Sequence, residues 1–218
     1  VKGLCITHGH EDHIGAIPYI LKQINMPIYA TKLTNGLIEN KLKEHGMLRT
    51  VKRKVVKYGQ SINLGCFRIE FIKTNHSIQD AAALAIFSPA GIVVHTGDFK
   101  VDYTPVFGDA IDLQRFGEIG KKGVLALLCE STNAERSGFT PSEKTVGRVF
   151  DNLFSEYSDT RIIIATFASN VDRVQQIINS AHKYGRKVVV EGRSMVNVIA
   201  TASELGYLNI PENTLIEV

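Results

Sequence analysis

The stretch THGHEDH, residues 7–13, places three histidines and two carboxylates within six positions. It follows an apolar run rich in β-branched side chains, VKGLCIT at residues 1–7, which predicts a buried strand. A loop that follows a strand end can direct successive side chains into one cavity, where imidazoles and a carboxylate meet on a metal ion. Neutral imidazole and carboxylate are ligands that suit zinc or another divalent first-row ion.

Two further candidate ligands stand at the ends of other predicted strands. His76 follows the strand pattern at residues 66–74, and Asp98 ends the pattern at residues 92–98. A single histidine is more often a hydrogen-bonded polar residue than a ligand, but four histidines and two aspartates at three strand ends favour metal binding. The sequence therefore predicts one metal site and most of a second.

The composition is that of a globular protein. The chain has 218 residues, of which 44% are hydrophobic and 22% charged, and its formal net charge of +3 permits a polyanionic partner without requiring one. No apolar run approaches the roughly 18 residues that span a membrane. The three cysteines are far apart and form no CxxC pair, which disfavours a disulfide framework and favours a reducing, cytoplasmic setting.

Strand and helix patterns are mixed along residues 1–140. Phe67, Ile69 and Phe71 alternate with Arg68, Glu70 and Ile72, which predicts a strand that buries mainly one face. A helical stripe runs from Asp12 to Ile24. The other patterns predict a helix at 33–45 and strands at 26–31, 53–58, 82–87, 92–98 and 123–130.

The pattern of predicted helices and strands changes near Thr140, where we expect a domain boundary. TPSE at residues 140–143 is typical of a capping box that starts a helix. Strand patterns at 161–167 and 187–192 flank a helical pattern at 170–184, which predicts a βαβ unit with a parallel strand pair. Val1 opens directly in a strand pattern and residues 215–218 are typical of another, so we expect an internal piece of a longer protein.

Several motifs resemble one known family. THGHEDHIGAIPY, residues 7–19, resembles the HxHxDH signature of the metallo-β-lactamase superfamily. The motifs that resemble the ribonuclease J group of β-CASP nucleases follow in order: NHS at 75–77, HTGDFK at 95–100, ESTNAERSGFTPSE at 130–143, ATFASNVDRVQQI at 165–177 and GRSM at 192–195. The resemblance implies an α/β fold, with a partial metallo-β-lactamase αββα sandwich over 1–140 and the start of an inserted β-CASP α/β domain over 141–218.

The resemblance also implies roles for individual residues. The first zinc ion would be held by His8, His10 and His76, with Asp98 bridging to a second ion held by Asp12 and His13. Manganese fits the same ligands. Catalytic roles fall to Asp12, which would orient water and accept a proton, to Asp98, and to Glu130, which would tune a nearby histidine. The turn with Ser169 and Asn170 would help to hold the RNA 5′ phosphate. Arg193 and Ser131 are further candidate RNA contacts, and for Ser131 a plain turn is an equally good interpretation.

The activity implied for the intact protein is metal-dependent hydrolysis of RNA in RNA maturation and decay. The resemblance implies a cytoplasmic 5′-to-3′ exonuclease that acts on RNA with a 5′ monophosphate. It is also compatible with endonuclease activity. It also implies a homodimer or homotetramer. The motif ATFASNVDRVQQI places Ser169 and Asn170 at the N-terminus of the predicted helix at 170–184, where an N-cap role and a phosphate contact fit these residues equally well.

Two alternative functions fit the same sequence. The metal ligands alone also suit a hydrolase of a small ester, lactone or thioester, because a fold does not fix a function. The residues after Thr140 disfavour that hypothesis, since a small-molecule hydrolase of this fold does not need an additional domain with a βαβ unit. The other alternative is an RNA-binding piece whose catalytic site is incomplete.

Overall fold

The structure, a computed structural model, describes residues 1–216. The chain divides into two compact units: unit 1 comprises residues 1–76, 80–102 and 110–140, and unit 2 comprises 77–79, 103–109 and the chain from 141 onward. Residues 217 and 218, the end of the predicted final strand and of the predicted second domain, lie outside the described residues. The domain limits at 140 and 141 stay a prediction.

Unit 1 contains two β-sheets. The first has three parallel strands in the order β1-β2-β3: β1 Leu4–Cys5, β2 Ile28–Ala30 and β3 Arg53–Val55. The second has five strands in the order β4 to β8: β4 Ser61–Leu64, β5 Phe67–Lys73, β6 Ala82–Ser88, β7 Gly91–His95 and β8 Ala126–Leu128. Its strands are antiparallel except for the parallel pair of β7 with β8.

Four helices accompany these sheets: α1 Glu11–Ile14, α2 Ile17–Gln23, α3 Lys32–Glu44 and α4 Leu113–Gly120. The helical stripe predicted from Asp12 to Ile24 is divided into α1 and α2, and Pro18 lies in the first turn of α2, where it fits best. The prediction for α3 is confirmed, and Gly46 follows it with a φ of +66°. Neither β4 nor α4 was predicted.

The core of unit 1 has two layers of apolar side chains. Between the sheets, Tyr29 of β2 and Val56, which directly follows β3, pack against Phe71 of β5 and Leu84 of β6. On the other face of the second sheet, residues of β5, β6 and β7 pack under α4: Ile72, Ala83, Ala85, Val94 and Ile119. With α3 packed on β2 and β3, the layers are helix, sheet, sheet and helix, which is the expected αββα sandwich.

The prediction that β5 buries mainly one face is wrong. Its residues 69–72 are all buried, including Glu70 at 4% and Ile72 at 1% exposed. The reason is that the unpredicted helix α4 covers the second face. From α4, Arg115 donates two hydrogen bonds to the Glu70 carboxylate, Nε to Oε1 at 2.6 Å and Nη2 to Oε2 at 2.8 Å, so the buried charge is paired.

Unit 2 is built on three helices: α5 Lys144–Glu156, α6 Val171–Lys183 and α7 Arg193–Glu204. Phe150 and Phe154 of α5 pack against Ala181 of α6. Two short segments also belong to this unit. Gln79 Nε2 donates to Asp172 Oδ1 at 2.5 Å, and Ser142 Oγ donates to the carbonyl of Thr104 at 2.8 Å.

Two predictions for unit 2 are wrong. The capping box at 140–143 does not form, because α5 begins at Lys144 and the Glu143 side chain binds Arg173 instead. The strand patterns at 161–167 and 187–192 form no ladder with each other among the described residues. Their alternate side chains, including Ile162, Ile164 and Val188, pack on the helices, and Val188 forms a single parallel bridge with Leu215.

None of the helices in the described part of the chain has the length and apolar character needed to cross a membrane.

Candidate metal centre

Strand ends of both sheets carry the candidate ligands. His8 lies three residues after β1, His10 is the N-cap of the short helix α1, and His13 is the third residue of that helix. His76 lies three residues after β5 in the other sheet, and Asp98 lies three residues after β7. The strands thus deliver the ligands of three separate loops to one place in unit 1.

Four of the six predicted ligands meet there. The candidate ligand atoms of His8, His10, His76 and Asp98 all lie within 4.8 Å of one another. The Oδ2 atom of Asp98 is 3.9 Å from Nε2 of His8 and 3.7 Å from Nε2 of His76, while His10 Nδ1 and His76 Nε2 are 3.1 Å apart. Three imidazoles and a carboxylate at these separations are a ligand set for a divalent first-row ion.

The other two predicted ligands lie beside this cluster. His13 Nε2 is 3.6 Å from Asp98 Oδ2, the same oxygen that faces His8 and His76. Its second neighbour is Asp12, whose Oδ2 is 3.6 Å from His13 Nε2 and whose side chain is 79% exposed. Asp98 therefore stands between the three-histidine group and the Asp12–His13 pair, and the role of each residue as a ligand stays a prediction.

An unpartnered buried atom tests whether the cluster suits a metal. His8 is 0% exposed, and within the described part of the chain its Nε2 has no hydrogen-bond partner. Its other ring nitrogen, Nδ1, lies 3.1 Å from the hydroxyl of Thr7. Since a buried polar atom without a partner is costly, a metal ion on Nε2 would satisfy the imidazole, and the residues present fit such an ion.

The electrostatics of the cluster keep its imidazoles neutral. Burial, reinforced by the neighbouring histidines, lowers the pKa of His8 to about 2, and burial likewise lowers the pKa of His76 to about 4. The pKa of His10 is also lowered, again chiefly by burial. A neutral imidazole has the free lone pair that a metal requires, so these side chains are ready to bind a metal at neutral pH.

Backbone contacts hold the three ligand loops together. The amide of Ala82 donates to the carbonyl of Thr7 at 2.9 Å, which joins the His8 loop to β6. The amide of Lys100 donates to the carbonyl of Asn75 at 2.7 Å, which joins the loops of Asp98 and His76. The Asn75 side chain adds an acceptor for the amide of Ile111, at 2.7 Å. Sequence reasoning missed Thr7 and Asn75, although both directly precede candidate ligands.

Glu130 and Ser131 lie in the loop after β8. One carboxylate oxygen of Glu130 accepts the amide hydrogen of Thr132 at 2.7 Å, and the Glu130 amide donates to Thr96 Oγ1 at 3.2 Å. Ser131 is exposed. The carboxylate of Glu130 thus helps to close its own turn, and its action on a histidine stays a prediction, as does RNA contact by Ser131.

The other predicted RNA contacts lie in unit 2. Asn170 is the N-cap of α6: its Oδ1 accepts the amide hydrogen of Arg173 at 3.1 Å, and the residue is 4% exposed. Ser169, directly before it, is partly buried, and Arg193 is the exposed first residue of α7. The capping role of Asn170 is therefore present, and phosphate binding by this turn stays a prediction.

With a two-sheet sandwich and a histidine–aspartate cluster at its strand ends, the chain belongs to the metallo-β-lactamase superfamily, which its residues 1–128 match. Residues 159–218 match the beta-CASP domain of Ribonuclease J. These two matches confirm the resemblance that the sequence motifs indicate.

Individual relatives agree with this assignment. The chain is 49% identical to Ribonuclease J of Synechocystis sp. over 218 residues, which cover 99% of this chain and 34% of that protein. It is 48% identical to Ribonuclease J of Helicobacter pylori strain J99, covering 100% of this chain and 31% of the relative. For Ribonuclease J2 of Bacillus subtilis the identity is 40%, covering 100% and 39%. The chain thus spans about a third of the length of these relatives.

A solved structure shares the fold. A protein of unknown function from Enterococcus faecalis V583 superimposes with a TM-score of 0.68 at 19% identity, over 99% of this chain and 54% of that one. At this identity the similarity concerns the fold alone.

Proposed function

We propose that this chain is part of a metal-dependent ribonuclease that hydrolyses phosphodiester bonds of RNA. The observation that carries the proposal is the convergence of His8, His10, His76 and Asp98, whose ligand atoms all lie within 4.8 Å of one another. The relatives named Ribonuclease J support RNA as the substrate, since they match the chain from end to end.

The residues of the cluster and its neighbours would have different roles in holding two metal ions. Bound divalent ions supply Lewis acidity, which lowers the pKa of a water to about 7 and neutralises charge on the phosphate. His8, His10 and His76 would hold the first ion, and Asp98 would bridge to the second, held by Asp12 and His13. Asp98 is suited to bridging because its Oδ2 faces His8, His76 and His13 at 3.6–3.9 Å.

Asp12 is the proposed proton acceptor. Its side chain is 79% exposed, so its carboxylate is open to a water molecule beside the cluster. It would orient that water for attack on phosphorus and take up its proton. Glu130 would act through a histidine, as a positioning residue and not as an acid or base.

The proposed substrate is RNA with a 5′ monophosphate, which the protein would degrade in the 5′-to-3′ direction. Endonuclease cleavage is compatible with the same proposal. The N-terminus of α6 supports a phosphate contact, because amide groups and a positive dipole end are suited to anions there. Ser169 and Asn170 directly precede the first residue of α6, and Ser131 and Arg193 are the further proposed contacts. Zinc is the proposed ion, with manganese as a substitute, and the full-length protein would be a cytoplasmic homodimer or homotetramer.

The test is RNA cleavage by the full-length protein. We expect 5′-monophosphorylated RNA to be degraded, the activity to be lost with a metal chelator and restored by zinc or manganese, and Asp12→Ala to remove it. Asp159→Ala, which changes an exposed aspartate in a turn of unit 2, serves as the matched control and should keep it. RNA loss that is insensitive to the chelator, or an active Asp12→Ala protein, would refute the proposal.

The same preparation tests the small-molecule alternative. A lactone or thioester turned over faster than RNA would favour that alternative over ribonuclease activity. Metal and RNA binding without any cleavage would instead favour an RNA-binding role.

A further inference from the structure

Thr7 is a buried polar residue that lies directly before the first candidate ligand. It is 7% exposed, and its side-chain oxygen lies 3.1 Å from Nδ1 of His8. The ring of His8 is fully buried, so no water competes for this nitrogen. The opposite nitrogen, Nε2, faces Asp98 Oδ2 at 3.9 Å. One end of the imidazole thus has a protein partner, and the other end points into the cluster.

The position of Thr7 is itself fixed from two sides. Its carbonyl accepts the amide hydrogen of Ala82 at 2.9 Å. Its side chain lies against Gly97, where a Cβ would come within 3.0 Å of the Thr7 Cβ and 3.3 Å of Cγ2. Because backbone and methyl group are both held, the hydroxyl has a defined location from which to contact the imidazole.

We infer that Thr7 is a positioning residue for the metal centre, which sets the tautomer of His8. With a metal ion on Nε2, the hydrogen of Nδ1 would have the Thr7 hydroxyl oxygen as its acceptor, so the imidazole would keep its proton on Nδ1 and direct its Nε2 lone pair into the ligand cluster. A hydrogen bond to the outer nitrogen of a ligating histidine fixes the ring orientation and strengthens the ligand. This inference rests on the proposed metal site but not on RNA as the substrate.

The experiment compares pairs of variants that differ by the hydroxyl alone. The metal-free full-length protein is titrated with zinc against a competing chromophoric chelator. Thr7→Val keeps the shape of the side chain, and the second pair, Thr7→Ser and Thr7→Ala, repeats the comparison in a smaller side chain. We expect loss of the hydroxyl to weaken zinc binding at the first site by about 10–100-fold, whereas Thr7→Ser retains most of the affinity.

A second readout follows the tautomer directly. Nitrogen-15 histidine spectra of the zinc-bound protein should show His8 protonated on Nδ1 in the unaltered protein and in Thr7→Ser. Thr34→Val is the matched control, because it removes another buried threonine hydroxyl. Thr34 is 1% exposed and lies in the first turn of α3, where its hydroxyl oxygen accepts a hydrogen bond from the Thr31 hydroxyl. It should lower stability and leave zinc affinity unchanged.

The outcomes separate the two claims. If the unaltered protein binds no zinc, the proposed function fails and this inference with it. The positioning role is wrong, while the metal site stands, if the unaltered protein binds zinc and the hydroxyl makes no difference to zinc affinity in a pair of folded proteins. The pairs are the unaltered protein with Thr7→Val, and Thr7→Ser with Thr7→Ala. Circular dichroism identifies the folded variants, and should Thr7→Val unfold, the Ser and Ala pair decides.

Discussion

The carboxylate of Glu143 accepts two hydrogen bonds from the guanidinium of Arg173, Nε to Oε1 at 2.7 Å and Nη2 to Oε2 at 3.0 Å. Glu143 directly precedes α5, and Arg173 lies in the first turn of α6. The side chain of Glu143 is 10% exposed. The pair therefore joins the starts of two helices, with the carboxylate buried and the Arg173 side chain 31% exposed.

Replacing the guanidinium should destabilise unit 2. We expect Arg173→Met to lower the free energy of unfolding by about 1–3 kcal/mol, because the buried carboxylate loses its charged partner. Urea unfolding followed by circular dichroism measures the change. Lys183→Met is the control, since the side chains of its ion pair with Asp151 are 57% and 36% exposed, and an exposed pair contributes little to stability. Equal losses in the two variants would contradict this prediction.

Gly97 should tolerate no side chain. It has a φ of +60°, and a Cβ there would lie 3.2 Å from the carbonyl oxygen of Ala82 as well as against Thr7. We expect Gly97→Ala to cost about 2–4 kcal/mol, from left-handed backbone strain together with crowding, and to weaken zinc binding. Gly185→Ala has similar strain, with a φ of +66°, but open space, so thermal unfolding should show the smaller loss there. A Gly97→Ala protein as stable as Gly185→Ala would show that crowding is absent.

The metal-free protein should lose stability in weak acid. Burial lowers the pKa of His76 to about 4, below the ordinary value of 6.5, so the unfolded chain binds more protons than the folded one between those values. The free energy of unfolding should therefore fall as the pH is lowered from about 6.5 to 4. Urea titrations at a series of pH values measure this slope. His76→Gln should reduce the slope, and an identical slope in that variant would disprove the link.

Metal content should distinguish the two parts of the centre. The four-residue cluster includes His8 but not His13. We expect His8→Ala to lose the tightly bound zinc, and His13→Ala to retain about one equivalent, because the first site keeps its ligands. Elemental analysis after dialysis gives the counts, with His45→Ala, at the end of α3, as the control. Loss of all zinc from His13→Ala would mean that the two sites form only together.

The elements of unit 1 with long apolar patterns could be predicted from the sequence, and those without could not. The helix α3 follows from its apolar stripe and Gly46. The strand β4 has only Ile62 and Leu64 as apolar residues in four, too short a pattern to recognise. In α4, Gly117 and Gly120 weaken the helical pattern, and missing this helix led to the wrong prediction for β5.

In unit 2, local pattern and tertiary contacts disagree. Thr140 to Glu143 has the residues of a capping box, but Glu143 gains more from the guanidinium of Arg173 than from a backbone amide. The ligand cluster could be predicted better than the elements of unit 2, because residues that follow neighbouring strand ends lie close together even when the loop conformations differ. The distance of Asp12 from the cluster depends on how α1 turns, which residue types do not reveal.

The chain crosses between the two units five times, at residues 76, 79, 102, 109 and 140. A chimera that joins two homologous proteins at residue 140 would therefore not exchange whole units. It would pair Gln79 of one parent with residue 172 of the other, and a mismatch would leave a 7%-exposed amide without its carboxylate. Recombination within this family should succeed mainly when the short segments 77–79 and 103–109 travel with the chain after 140.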